Sequence, residues 1–247
     1  MINLAIDIGN SRTKIAFFEN AALIEAHSYR NQATAELKGL VDKYTPAKAV
    51  LSSVVEPDPA LLAYLEQHTN LSYFPGSLRL PLENKYHSPA TLGADRLAAV
   101  IGAGAYGENS DSLVIIAGTC ITYNFLNSRK EFLGGAISPG LNMRFLAMHT
   151  FTGKLPLITL DKEYDEFLGR DTRESMLSGV QAGSLAETLY MIGAYAEQYP
   201  GLRVFLCGGD AEFFDKRLKN SIFADRIVLD RELILKGLDR VLNYQYK

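Results

Sequence analysis

Leu4-Ala5-Ile6-Asp7-Ile8-Gly9-Asn10-Ser11 opens the chain's chemistry, and Lys14–Phe18 follows it. The first run is apolar and β-branched and ends in an acid, the pattern of a buried strand. Gly9-Asn10-Ser11 is a turn signal, and the second apolar run returns from it, so a hairpin is expected. The same plan recurs at Val114-Ile115-Ile116-Ala117-Gly118-Thr119, with Ile121–Leu126 returning. An apolar strand, a glycine turn and a second apolar strand, used twice, predict two similar α/β halves facing a cleft.

Outward from these hairpins the pattern alternates. Leu23–Tyr29 reads as a third strand, Ala33–Lys43 as a helix, Ala49–Val55 as a strand, Ala60–His68 as a helix and Leu71–Phe74 as a short strand. Gly76–Pro89 is rich in turn formers, and Leu92–Tyr106 is apolar at helical spacing. Gly107–Ser112 is polar and divides the halves, giving a first domain over 1–110 and a second over 111–247. Beyond it, strands are expected at Phe132–Ile137 and Val204–Cys207, and helices at Asn142–His149, Glu174–Gln198 and Arg231–Tyr244.

Composition narrows the function. With 247 residues, 47% of them hydrophobic, the chain can bury a core without disulfides or metal. The formal charge of −3 gives no footprint for nucleic acid, and no apolar run is long enough to span a bilayer. The N-terminus lacks the basic and apolar regions of a signal peptide. Cys120 and Cys207 lie far apart and read as buried, reduced thiols, so a cytoplasmic protein is expected. His27, His68, His87 and His149 form no metal spacing.

Asp7, delivered to a sheet edge, can hold a magnesium ion through water. Gly9 lets backbone approach a ligand, the amides of the turn with Asn10 and Ser11 can donate to phosphate, and Lys14 adds charge. The turn is not a Walker A loop, because GxxxxGK[ST] is missing. Gly93-Ala94-Asp95-Arg96 sets an acid in the first turn of a helix. There it is placed to act as a general base, while Arg96 can fork onto a carboxylate or phosphate. Each motif also reads as ordinary structure: a polar turn for the first, a helix-stabilising acid and a surface arginine for the second. Thr119 repeats the place of Asn10, and the opposed turns can clamp phosphates. Gly134-Gly135-Ala136-Ile137-Ser138-Pro139-Gly140 is too glycine-rich for an unassisted strand. Gly208-Gly209 after a strand can pack flat on a nucleobase. Tyr86 lies just ahead of Gly93.

Taken in order, these pieces resemble the type III pantothenate kinases. The markers are Asp7–Ser11, Ser53-Val54-Val55, Tyr86 with Pro89, Gly93-Ala94-Asp95-Arg96, Gly118-Thr119 with Ile121-Thr122, Gly134-Gly135 to Pro139-Gly140, Leu155-Pro156 and Gly208-Gly209-Asp210. The resemblance implies the actin-like ATPase and sugar-kinase fold, built from two RNase H-like halves. It implies phosphorylation of pantothenate by ATP to 4′-phosphopantothenate, the first committed step towards coenzyme A. ATP would be bound by Asp7, Ile8, Gly9, Asn10, Ser11, Arg12, Thr13, Lys14 and Thr119, with Asp7 near magnesium. Asp95 would be the base. Tyr86, Gly93, Ala94, Asp95 and Arg96 would contact pantothenate, joined by Thr172 across a homodimer interface. The family's usual monovalent-cation aspartate is replaced by Ile116, so activation by potassium or ammonium is expected to be weak or absent unless Thr122 or Asn124 compensates. Rival readings are a related-fold kinase for a sugar or other small alcohol, and a non-enzymatic regulator.

Overall fold

The computed structural model describes residues 1–30, 33–107 and 110–245. Backbone contacts divide the chain into two units. The first holds Met1–Asn109, Arg129–Leu133 and Glu232–Lys247, and the second holds Ser110–Ser128 and Gly134–Arg231.

In the first unit, the opening hairpin is β1 (Ile2–Ile8) and β2 (Arg12–Glu19), paired antiparallel, with β3 (Ala22–Arg30) beside β2. Helix α1 (Thr34–Tyr44) leads to β4 (Lys48–Ser53), and α2 (Pro59–His68) leads to β5 (Asn70–Tyr73). Asp58 caps α2 by accepting the Ala60 N–H at 2.9 Å, with Pro59 in the first turn where a missing N–H costs nothing. The sheet order is β3-β2-β1-β4-β5, with β4 parallel to β1 and β5 parallel to β4. Leu4, Ile6, Ile15 and Phe17 are fully buried, so the central strands read as continuous apolar runs because both faces are covered. The short β6 (Glu83–Asn84) pairs with Glu131 and Phe132 inside the loop expected at 76–89.

Helix α3 spans Ala94–Ala103, shorter than the apolar pattern over 92–106, because Gly93 caps its start and Gly104 its end. Every residue from Arg96 to Ala103 is buried.

The second unit repeats the plan. Strands β7 (Ser112–Ala117), β8 (Cys120–Leu126), β9 (Glu131–Pro139), β10 (Arg203–Cys207) and β11 (Ile227–Leu229) lie in the order β9-β8-β7-β10-β11, and β6 adds a sixth strand at the β9 edge. Strands β7 and β8 are antiparallel, while β10 is parallel to both β7 and β11. Helices α4 (Leu141–Thr150), α5 (Thr172–Gln198) and α6 (Ala211–Leu218) cover it. The internal echo between residues 4–11 and 114–119 thus marks the same 3-2-1-4-5 strand order in each unit.

The closing helix α7 (Leu233–Tyr244) corrects the division at residue 110: it belongs to the first unit, as do Arg129–Leu133. It packs on α3 at backbone distance. A Cβ on Gly102 would stand 2.1 Å from the Leu233 carbonyl oxygen, and one on Gly237 would stand 1.9 Å from that of Ala98. The expected linker, Gly107–Ser112, lies partly outside the described residues. Cys120 is half-buried rather than buried, and both cysteines are free.

Candidate active site

Strand β1 ends by presenting Asp7, which stands opposite Lys14 on β2 and Ser52 on β4. Its side chain is only 7% exposed. Burial pushes the carboxyl up to about 6; Lys14 opposes the rise and the charge of Asp95 adds to it. Asp95 therefore shares an electrostatic neighbourhood with Asp7, although 88 residues separate them in sequence.

The turn is closed by the Gly9 N–H donating to the Arg12 carbonyl at 2.9 Å. That amide is committed to the fold. Ile8 and Thr13 are cross-strand partners with buried side chains, so neither presents a side chain to a nucleotide and only their backbones remain for it. Asn10, Ser11 and Arg12 are exposed, and the Arg12 guanidinium donates to Ser28 Oγ at 3.2 Å.

Asp95 sits in the first turn of α3, where its Oδ1 accepts the Arg96 N–H at 2.8 Å. Gly93 makes room for it: a Cβ there would meet Asp95 Oδ1 at 2.7 Å. Gly93→Ala is expected to swing the carboxylate aside, lowering kcat about tenfold to a hundredfold while the thermal midpoint holds. Steady-state kinetics beside a melt would check it, and an unchanged kcat would dismiss the positioning role. Arg96 is 5% exposed, with its guanidinium 5.5 Å from the centre of the Tyr86 ring. Tyr86 stacks on Phe132 at 6.0 Å, and its N–H donates to Asn84 Oδ1. Tyr86, Gly93, Asp95, Arg96 and Asp7 all belong to the first unit.

In the second unit, the Gly118 N–H donates to the Cys120 carbonyl at 3.0 Å, leaving Thr119 exposed at the tip. Two segments brace this turn: the Gly140 N–H donates to the Thr119 carbonyl at 3.1 Å, and the Asp210 N–H to the Ala117 carbonyl at 2.9 Å. Gly208 has φ +101°, and a Cβ there would stand 2.2 Å from the Ala117 oxygen. Its lack of a side chain is thus explained by β7 rather than by a nucleobase; Gly209 meets nothing within 4 Å. Ile116 is buried, opposite Thr122. Asn124 Nδ2 donates to the Val114 carbonyl at 3.1 Å and to Thr122 Oγ1 at 2.9 Å. Those bonds tie both side chains named as substitutes for a missing cation ligand. Among the described residues no cluster of three or more His, Cys, Asp or Glu is arranged to hold a metal.

Thr172 is exposed at the start of α5, next to the cap Asp171, whose Oδ1 accepts the Glu174 N–H at 2.7 Å. It lines a cavity of about 490 Å³ with Met148, Leu155, Arg170 and Met176.

One cluster escaped sequence reading. Glu187 on α5 accepts from Arg144 (2.6 Å) and Ser138 (3.0 Å) through Oε2 and from the buried Tyr123 (3.0 Å) through Oε1. It anchors the Ser138–Gly140 segment that braces Thr119. Ser138 was the visible part; nothing local marks a glutamate in mid-helix as its partner. Burial pushes the Tyr123 hydroxyl up and out of the titrating range.

Residues 3–194 match the model of the type III pantothenate kinase family. A type III pantothenate kinase of Bacteroides fragilis is 42% identical over 244 residues, 98% of each chain. Another from Phocaeicola vulgatus is 39% identical over the full length of both. Among solved structures, a Campylobacter jejuni protein described as a Baf family transcriptional activator matches with TM-score 0.59 at 20% identity, over 98% of each chain. Glucokinase from an Antarctic psychrotroph matches with TM-score 0.54 at 15% identity, over 98% of this chain and 99% of that one. The structural likenesses establish the actin-like ATPase and sugar-kinase fold, and the sequence matches, at 39–42% identity over nearly the whole length, go further: the chain belongs to the type III pantothenate kinase family.

Proposed function

We propose that the chain transfers the γ-phosphoryl group of ATP to the hydroxyl of pantothenate, forming ADP and 4′-phosphopantothenate. The observation that carries this is the pairing, in one unit, of a buried Asp7 with a helix-start Asp95 beside Arg96 and Tyr86. Phosphoryl transfer needs alignment and charge neutralisation more than covalent help. Asp95 accepts the proton of the attacking hydroxyl. Arg96 pairs with the pantothenate carboxylate, and Tyr86, Gly93 and Ala94 shape the pocket around it. Asn10, Ser11, Arg12 and Lys14 bind the phosphates, and Thr119 is a further contact for ATP.

Magnesium fits Asp7. The ion takes one or two carboxylates and keeps much of its water, and a buried carboxyl that resists ionisation gains most from a cation. When bound, magnesium supplies charge neutralisation on the phosphates.

A homodimer is supported by the apolar residues that the second unit exposes, among them Leu146, Phe151, Leu157, Phe167 and Tyr190. Thr172 of the partner subunit then reaches pantothenate. Among the described residues no helix is long and apolar enough to cross a membrane. The cytoplasm is the compartment that keeps both free thiols reduced.

The test is ADP release with ATP and magnesium against pantothenate and a panel of sugars. Pantothenate-dependent turnover supports the reading, and turnover with a sugar alone overturns it. The same assay checks the cation. With Ile116 at the usual aspartate position, the rate is expected to change less than about twofold when potassium replaces a bulky organic cation. A strict potassium requirement would contradict this.

A further inference from the structure

A cavity of about 650 Å³ in the first unit is lined by three cations, Lys130, Lys236 and Arg240. Its rim includes Gly104 and Ala105, directly after the C-terminal end of α3, and Asn20 and Ala21 at the β2–β3 turn. Asp95 and the Gly9 turn lie at the other ends of those same elements, α3 and β2. Ten helical residues span roughly 15 Å, so this cavity is separate from the site of phosphoryl transfer.

The carboxylate among its described lining residues, Asp239, is 3% exposed and already served: Oδ1 accepts from Asn3 and Oδ2 from Asn243, each at 2.8 Å. Burial pushes that carboxyl up, and the groups that pull it back are these two amides. Two of the cations have anchors apart from Asp239. Arg240 Nη1 donates to the Ile101 carbonyl at 3.3 Å, which caps the last turn of α3. Lys236 Nζ donates to the Tyr106 hydroxyl at 3.0 Å. Capping accounts for Arg240. Lys130 arrives from the β8–β9 turn with φ +62°, and Lys236 stands in the first turn of its own helix.

We infer that this cavity is a binding site for a small phosphate-bearing anion, a phosphate ester or diphosphate, distinct from the nucleotide and pantothenate sites. Three half-buried cations from three positions suit the spread of oxygens on such a group, and the volume is that of an ordinary small-molecule site.

The probe is inorganic pyrophosphate, titrated calorimetrically into the full chain carrying Lys14→Gln, which weakens anion binding at the catalytic turn. One binding event is expected to remain. Adding Lys130→Asn or Lys236→Gln should weaken it about tenfold each. Asparagine tolerates the left-handed backbone at 130, so that variant keeps the test informative even if Lys236→Gln loosens the helix pair. No heat with pyrophosphate, or an affinity that neither substitution moves, overturns the inference.

Discussion

Asp7→Asn is expected to give an inactive protein that is harder to unfold. The carboxyl is held at about 6 in the fold against 3.8 for an ordinary aspartate, and the largest cause is burial. A raised carboxyl favours the folded state at acid pH. That contribution is complete below about 3.8 and is lost as pH rises through 6. Above pH 6 the native chain therefore carries an ionised, poorly hydrated group costing at most about 3 kcal/mol. Asparagine has the same shape without that charge. The variant should melt several degrees higher at pH 8 and close to wild type at pH 4, while turnover falls at least about a hundredfold for want of the anion that steadies the bound phosphates and their cation. Melting curves at the two pH values, beside the ADP assay, decide it. A variant less stable at pH 8 would mean that Lys14 draws more from the ionised form than burial removes.

That site was partly legible in the sequence. Apolar runs either side of Gly9-Asn10-Ser11 dictate a hairpin, and a hairpin's register puts Lys14 across from Asp7. The helical period over 92–106 likewise puts Asp95 in a first turn, as it is in α3. Motif reading took the stretch from Asp7 to Lys14 as one binding unit, but alternation sends Ile8 and Thr13 inward, and only structure separates such positions from their neighbours. The stacking of Arg96 on Tyr86 was not legible, because it depends on Phe132 arriving from β9.

Two short elements, α6 and β11, were too brief for a period to register. Helix α6 follows Gly208-Gly209-Asp210 directly and buries Phe213, Phe214 and Leu218 along Ala-Glu-Phe-Phe-Asp-Lys-Arg-Leu. The return of α7 to the first unit was hidden for a different reason: amphipathic spacing says that a helix has a partner, not which one. Signs of the partnership include Gly237 and Gly102, and the Asn3–Asp239–Asn243 cluster that fastens α7 to the start of β1.

Asp95→Asn should lower kcat by about a hundredfold to ten-thousandfold, the range for loss of a general base. Asparagine retains an acceptor for the Arg96 N–H, so the start of α3 should hold and pantothenate KM should change little. A second effect separates this substitution from a disturbance of Asp7. The charge of Asp95 helps raise the Asp7 carboxyl, so removing it eases Asp7 towards its ionised form. The variant therefore improves the state of Asp7 while losing turnover, and the loss has to come from the missing proton acceptor. Asp95→Glu, which keeps the basicity at the wrong reach, should recover only part of the rate. Equal kcat for Asp95→Asn and wild type would move the proton's destination elsewhere, and a large rise in KM at constant kcat would reassign Asp95 to binding.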